Sequence, residues 1–215
     1  MKPLADCRLY AFVDTAYLHD RAPEVVAQQL CDGGADLIQL RAKKSTVDEI
    51  RGMGEKILPI TRRANVGLVI NDYVDIADDL AAEFCHLGQE DFFGAGHKSV
   101  IELWSMERVM RIGLSTHSPA QAKRALAADA DYLAIGPVYA TGTKPNVKPV
   151  TLDYVRWAAA PENNVNIPWF AIGGINLENL DDVLAAGARR ICVVSAILNA
   201  PDVVQACAAF RKRLG

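Results

Sequence analysis

Basic surplus is missing from this sequence: 23 Lys and Arg stand against 26 Asp and Glu, a formal net charge of −3. A nucleic-acid-binding face normally shows as a basic excess or stripe, so no nucleic-acid partner is expected. Long apolar runs are missing too. None approaches the ~20 residues that span a bilayer, and the start, Met1-Lys2-Pro3-Leu4-Ala5-Asp6, has no apolar region of the kind a secretory signal carries. The expectation is no membrane partner. Cysteine pairing is missing as well. Cys7, Cys31, Cys85, Cys192 and Cys207 are odd in number and include no CxxC, so a disulfide framework or a zinc site lacks its spacing. Most lie in apolar stretches, where a buried thiol behaves as a small hydrophobe, and a reducing cytoplasm fits best. The four histidines, His19, His86, His97 and His117, form no metal-ligand pattern. His86 alternates with apolar residues and reads as a satisfied strand residue rather than a base. His19 and His97 carry no functional signal, and the role of His117 stays open.

What the sequence does have is core. Its 215 residues are 51% hydrophobic, enough to bury a sizeable interior without covalent staples. Eight short, nearly continuous apolar runs recur: Leu9–Val13, Leu37–Leu40, Gly67–Ile70, Phe84–Leu87, Ile112–Leu114, Tyr132–Ile135, Trp169–Ile172 and Ile191–Val194. Such runs suit parallel strands covered on both faces. Helix signals fill the gaps. Pro23 suits a first helical position and Gly33-Gly34 a helix end. Thr46 with Glu49, and Ser118 with Gln121, have capping-box spacing. Asn176 can cap a helix over Leu177–Ala186 that Gly187 closes, and Pro201 can open the last one. Eight strands alternating with helices leave a closed (β/α)8 TIM barrel or an open doubly wound sheet. No GxGxxG follows the first strand, which disfavours the open nucleotide-binding sheet. The expected fold is a single α/β TIM-barrel domain over 1–215, its core at about 8–213.

Parallel barrels carry their chemistry at the C-terminal ends of strands, and polar residues gather there. Strand two ends in Gln39-Leu40-Arg41-Ala42-Lys43, strand three in Asn71-Asp72, and strand five in Ser115-Thr116-His117. Gln39, Arg41 and Lys43 alternate, so they form one donor-rich row suited to phosphate oxygens. Asp72 and Asp91 follow adjacent strands. Either could be a helix cap or a loop residue; beside the Arg/Lys row they also make a magnesium–pyrophosphate site. Gly173-Gly174 and Val194-Ser195 end strands seven and eight, where barrels often bind a phosphate. Two anion sites are therefore expected, one metal-assisted and one metal-free.

Taken together, Gln39-x-Arg41-x-Lys43, Asn71-Asp72, His86-Leu87-Gly88-Gln89-x-Asp91, Ser115-Thr116-His117-Ser118, Gly136-Pro137, Thr141-x-Thr143-Lys144, Ala171-Ile172-Gly173-Gly174-Ile175 and Val194-Ser195-Ala196-Ile197 resemble the thiamin phosphate synthase family. The resemblance runs from about Tyr10 to about Pro201. It implies a transferase of thiamin biosynthesis, using Mg2+ and two small-molecule substrates, a pyrimidine pyrophosphate and a thiazole phosphate. By this resemblance, the pyrimidine pyrophosphate meets Tyr10, Gln39, Leu40, Arg41, Ala42, Lys43, Asn71, Ser115 and Lys144. The catalytic set among them is Arg41, Lys43, Ser115 and Lys144. Asp72 and Asp91 hold the metal, and Thr141, Gly142, Thr143, Gly174, Val194 and Ser195 hold the thiazole phosphate. The implied route is dissociative, through a pyrimidine carbocation that needs positioning and dryness more than a strong base.

Some positions depart from the family pattern. Ala42 stands for a common Glu, Tyr73 for a common Arg, Ala140 for Pro and Thr151 for Gly; none of these departures removes a phosphate or metal contact. The stretch Gly136–Val150, the longest between a strand and its helix, is expected to be a mobile lid carrying Lys144. Alternative readings are a related barrel that tautomerises the thiazole, which would not need the pyrophosphate–magnesium set, and a non-catalytic paralogue that binds thiamin precursors. A homodimer is left open.

Overall fold

The computed structural model describes residues 1–104, 110–142 and 148–215. Eight parallel strands close in sequence order into a barrel: β1 Leu9–Asp14, β2 Leu37–Arg41, β3 Gly67–Asn71, β4 Phe84–Leu87, β5 Arg111–Thr116, β6 Tyr132–Ile135, β7 Trp169–Ile172 and β8 Ile191–Cys192. The strands are buried nearly throughout because helices cover the outside and side chains fill the inside, which is why they read as continuous apolar runs rather than alternating ones. Helices α1 Pro23–Asp32, α2 Val47–Arg63, α3 Val74–Asp79, α4 Gln89–Gly94, α5 Pro119–Ala127, α6 Thr151–Ala159 and α7 Leu180–Ala185 follow the first seven strands. After β8 come a short α8, Ser195–Leu198, and the closing α9, Val203–Leu214. Among the described residues no helix is long and apolar enough to cross a membrane.

The chain's punctuation explains most boundaries. Thr46 and Glu49 satisfy each other's backbone at the start of α2, and Pro23 opens α1. Ser118 caps α5, but Gln121 reaches past it: its Oε1 accepts the His117 N–H at 2.6 Å. Several expected boundaries shift, three of them after β7. Asn176 accepts from the Glu178 and Asn179 N–H groups as a turn, so α7 begins at Leu180. Asp202, not Pro201, caps α9, through the Gln205 N–H at 2.9 Å. Strand β8 stops at Cys192, so Ser195 starts a helix instead of ending a strand.

Aromatic rings pack the barrel's interior. Tyr10 stacks on Phe12 at 5.2 Å and meets Phe170 edge-on at 5.4 Å, while Tyr132 meets Phe84 and Phe170 edge-on. This layer is the floor on which the strand-end residues stand.

Candidate active site

A funnel, open to solvent, sits at the C-terminal end of the barrel. Tyr10, Gln39, Arg41, Asn71, Ser115, Thr141, Gly174, Val194 and Ser195, all named from sequence, line it. Strand alternation explains the rest of the β2 row. Gln39 and Arg41 face the funnel, whereas Leu40 and Ala42 are buried and do not line it, leaving them only main chain to offer. Lys43 is half exposed and forms an ion pair with Asp72. Gly142 is exposed beside the funnel rather than in its wall. Thr143 and Lys144, and with them the centre of the expected lid, lie outside the described residues.

Both cations of the row are held by carboxylates. Arg41 Nη1 donates to Asp14 Oδ2 at 2.7 Å, in a pair whose acid is 1% exposed and whose base is 14% exposed. Asp14 also accepts the Ala16 N–H at 3.0 Å. It is a residue the sequence reading missed by ending strand one at Val13, although an acid closing a barrel strand opposite an arginine was the available signal.

Asp72 is not a helix cap. Tyr73 occupies that position before α3, with no side-chain bond. Asp72 has φ of 69°, a left-handed conformation that Asp tolerates better than most residues, and its N–H donates to the His86 carbonyl at 2.9 Å. Asp91, expected in a loop, lies in the first turn of α4. Its Oδ2 folds back over the end of β4, 2.6 Å from where a side-chain carbon on Gly88 would be. Two carboxylates thus stand at the rim of neighbouring strands. Among the described residues no cluster of three or more His, Cys, Asp or Glu could hold a metal alone. Two hard oxygen donors nevertheless fit Mg2+, which takes its remaining ligands from water and substrate phosphate.

Across the funnel, Gly173 and Gly174 have φ of 102° and 66°. A side-chain carbon at Gly173 would sit 2.4 Å from Pro137 Cβ, and one at Gly174 would sit 2.7 Å from the Ala140 carbonyl. The pair therefore bares its backbone where the β6–α6 connection closes against β7. Ser195 stands next to it, at the start of the short extra helix after β8.

The reading of His86 as a satisfied strand residue holds, but its place in the site's polar floor was missed. His86 lines the funnel and is held from both sides, by Ser115 Oγ at 2.9 Å and Tyr132 Oη at 3.2 Å. His117 lines it too, with Nδ1 on the Gly136 carbonyl. Cys192 reaches the funnel, but burial pushes its thiol far up, and burial likewise raises Cys7 and Cys31 to about 11 and Cys207 to about 12. All five thiols are free, and none of these four is a thiolate at neutral pH.

Residues 9–197 match the profile of a family described as thiamine monophosphate synthase. The chain belongs to that family. Thiamine-phosphate synthase of Thermus thermophilus is 46% identical over 187 residues, covering 85% of this chain and 84% of that one. The Halalkalibacterium halodurans enzyme of the same name is 37% identical over 208 residues, covering 96% and 95%. The solved thiamine phosphate pyrophosphorylase from Pyrococcus furiosus superposes with a TM-score of 0.80 at 28% identity, covering 98% of this chain and 96% of that one. The chain is accordingly a transferase of thiamin biosynthesis on a TIM barrel.

Proposed function

We propose that the chain condenses 4-amino-5-hydroxymethyl-2-methylpyrimidine pyrophosphate with 4-methyl-5-(2-phosphoethyl)thiazole, or its carboxylate, releasing thiamin phosphate and pyrophosphate. One observation carries this reading: a single funnel joins a cationic wall, with Arg41, Asn71 and Ser115, to a glycine-and-serine wall with Gly174, Val194 and Ser195. Two anionic substrates then face each other across a short gap, as a condensation requires.

The leaving pyrophosphate gains negative charge as its bond to the pyrimidine methylene breaks. Fixed cations therefore stabilise the transition state more than the ground state. Arg41 is preset for this by Asp14. Lys43, half exposed and paired with Asp72, is free to swing onto a phosphate oxygen when the substrate arrives. Asp72 and Asp91 would hold Mg2+, which supplies further neutralisation of the pyrophosphate when bound. Lys144 is assigned to the same anion on the sequence resemblance alone. Thr141 and Gly142, with Thr143, are assigned to the thiazole phosphate beside Gly174 and Ser195. Apolar walls from Phe12, Ile172 and Ile175 keep water from the pyrimidine cation, and the thiazole nitrogen attacks it without a strong protein base. Five free thiols suit a cytoplasmic setting.

The test is incubation of purified protein with both substrates and Mg2+, with products read by mass. Thiamin phosphate and pyrophosphate in equal amounts are expected. Binding of both substrates by calorimetry without turnover would make the chain a non-catalytic binder instead.

A further inference from the structure

Beneath the funnel, five side chains from five strands are joined end to end. Gln39 Nε2 donates to Tyr10 Oη at 2.5 Å, Tyr10 Oη lies 3.2 Å from Tyr132 Oη, Tyr132 Oη lies 3.2 Å from His86 Nδ1, and His86 Nε2 lies 2.9 Å from Ser115 Oγ. All five are at most 8% exposed. The chain crosses the barrel because Gly113, on the strand between β4 and β6, leaves room for the Tyr132 ring: a side-chain carbon there would sit 2.0 Å from Tyr132 Cζ. Tyr132 does not line the funnel, so whatever it contributes to the site passes through its neighbours.

A buried chain of hydrogen bonds needs one donor and one acceptor at every joint, which leaves two polarities for the whole row. Gln39 selects one. Its amide nitrogen takes the Tyr10 oxygen, so the Tyr10 proton goes on to Tyr132. The Tyr132 proton then goes to His86 Nδ1, and His86 donates from Nε2 to Ser115. Burial pushes both phenols well above their ordinary range, so each keeps the proton it must pass on. We propose that this row is a directed relay that fixes the polarity of the site at two points: Gln39 presents Oε1 as an acceptor, and Ser115, already accepting from His86, presents its own proton as a donor.

The proposal rests on the pyrimidine pyrophosphate reading and sharpens it. An acceptor at Gln39 fits the exocyclic amino group of an aminopyrimidine. A donor at Ser115 fits a phosphate oxygen, whose bond to the hydroxyl strengthens as the leaving group gains charge. The opposite polarity would turn an amide NH2 toward an amino group and a hydroxyl lone pair toward an anion. His86 and Tyr132 are therefore positioning residues, and the chemistry stays with Ser115 and the cations.

Two measurements test this. Nitrogen-15 NMR of the imidazole rings, assigned with His86→Gln, should show His86 neutral with Nε2 protonated and Nδ1 bare. A ring protonated at Nδ1 overturns the polarity, whether or not the protein turns over, so this result is separate from the activity itself. In kinetics, Tyr132→Phe should lower kcat for thiamin phosphate formation about tenfold, the scale of one lost neutral hydrogen bond, with the KM for thiazole phosphate unchanged. In a Ser115→Ala background the same substitution should cost at most about threefold, since coupled residues do not add. Additive losses, or an unchanged kcat in folded Tyr132→Phe, would overturn the claim that the relay acts through Ser115.

Discussion

Asp14 and Arg41 end adjacent strands in direct register and close a buried ion pair 2.7 Å long. The pair sets the guanidinium at the funnel's edge before any substrate arrives, so its ordering entropy is spent in folding rather than in binding. A free arginine would reach the same oxygens less often.

Asp14→Asn keeps the shape and one hydrogen-bond acceptor but removes the charge that fixes Arg41. The kcat/KM for pyrimidine pyrophosphate should fall about tenfold while the KM for thiazole phosphate hardly moves. Stability should drop by about 1–3 kcal/mol, because a buried cation loses its counter-charge. Steady-state kinetics with each substrate varied, beside thermal melting, checks both. Wild-type kinetics in a folded variant would show that Asp14 serves the fold and not the site.

Thr151 opens α6 with φ of 62°, a region where a β-branched residue is strained. Its hydroxyl compensates by accepting the Asp153 N–H at 3.3 Å. The sequence marked this position only as a departure from a common glycine; the backbone shows why glycine suits it. Asparagine tolerates the left-handed region and also caps helices. Thr151→Asn should therefore stabilise the protein by about 0.5–1 kcal/mol, a rise in Tm of roughly 1–4 °C for a chain of this size, with activity unchanged. A melting point at or below that of the wild type would mean that the strain is relieved elsewhere.

The barrel was legible because the strands are largely apolar on both faces and the gaps carry helix signals, so all eight runs fell on strands, and Phe84–Leu87, Tyr132–Ile135 and Trp169–Ile172 matched theirs residue for residue. Boundaries set by side-chain bonding slipped, as at Asn176, where two main-chain bonds to one oxygen delay the helix. In the site, strand ends pointed to Gln39, Arg41, Ser115 and Ser195, all now found in one wall or the other. What the sequence hid were partners distant along the chain. Asp14 with Arg41, Tyr132 with His86 and Lys43 with Asp72 are separated by 27, 46 and 29 residues. Nothing local names the partner of such a residue; only the closed barrel brings the two together.

Gly88 gives a test of the metal site that leaves both carboxylates in place. Its backbone, φ −64° and ψ 138°, is one that any L-residue adopts, so alanine there strains nothing in the main chain. The added carbon would sit 2.6 Å from Asp91 Oδ2, far inside contact distance. The obstacle is the free end of an exposed side chain, so the carboxylate swings away and the fold survives. If Asp91 holds Mg2+ with Asp72, displacing it should raise the Mg2+ concentration for half-maximal rate about tenfold, the scale of roughly one charge-assisted contact. The maximal rate at saturating Mg2+ should recover much of the wild-type value, and Tm should stay within about 2 °C. Asp91→Asn, which removes the charge instead of moving it, should not recover at any Mg2+ concentration. A magnesium titration of the three proteins separates the outcomes. If Gly88→Ala follows the wild-type curve, Asp91 is a surface carboxylate of α4, and Asp72 must meet the ion with substrate and water alone.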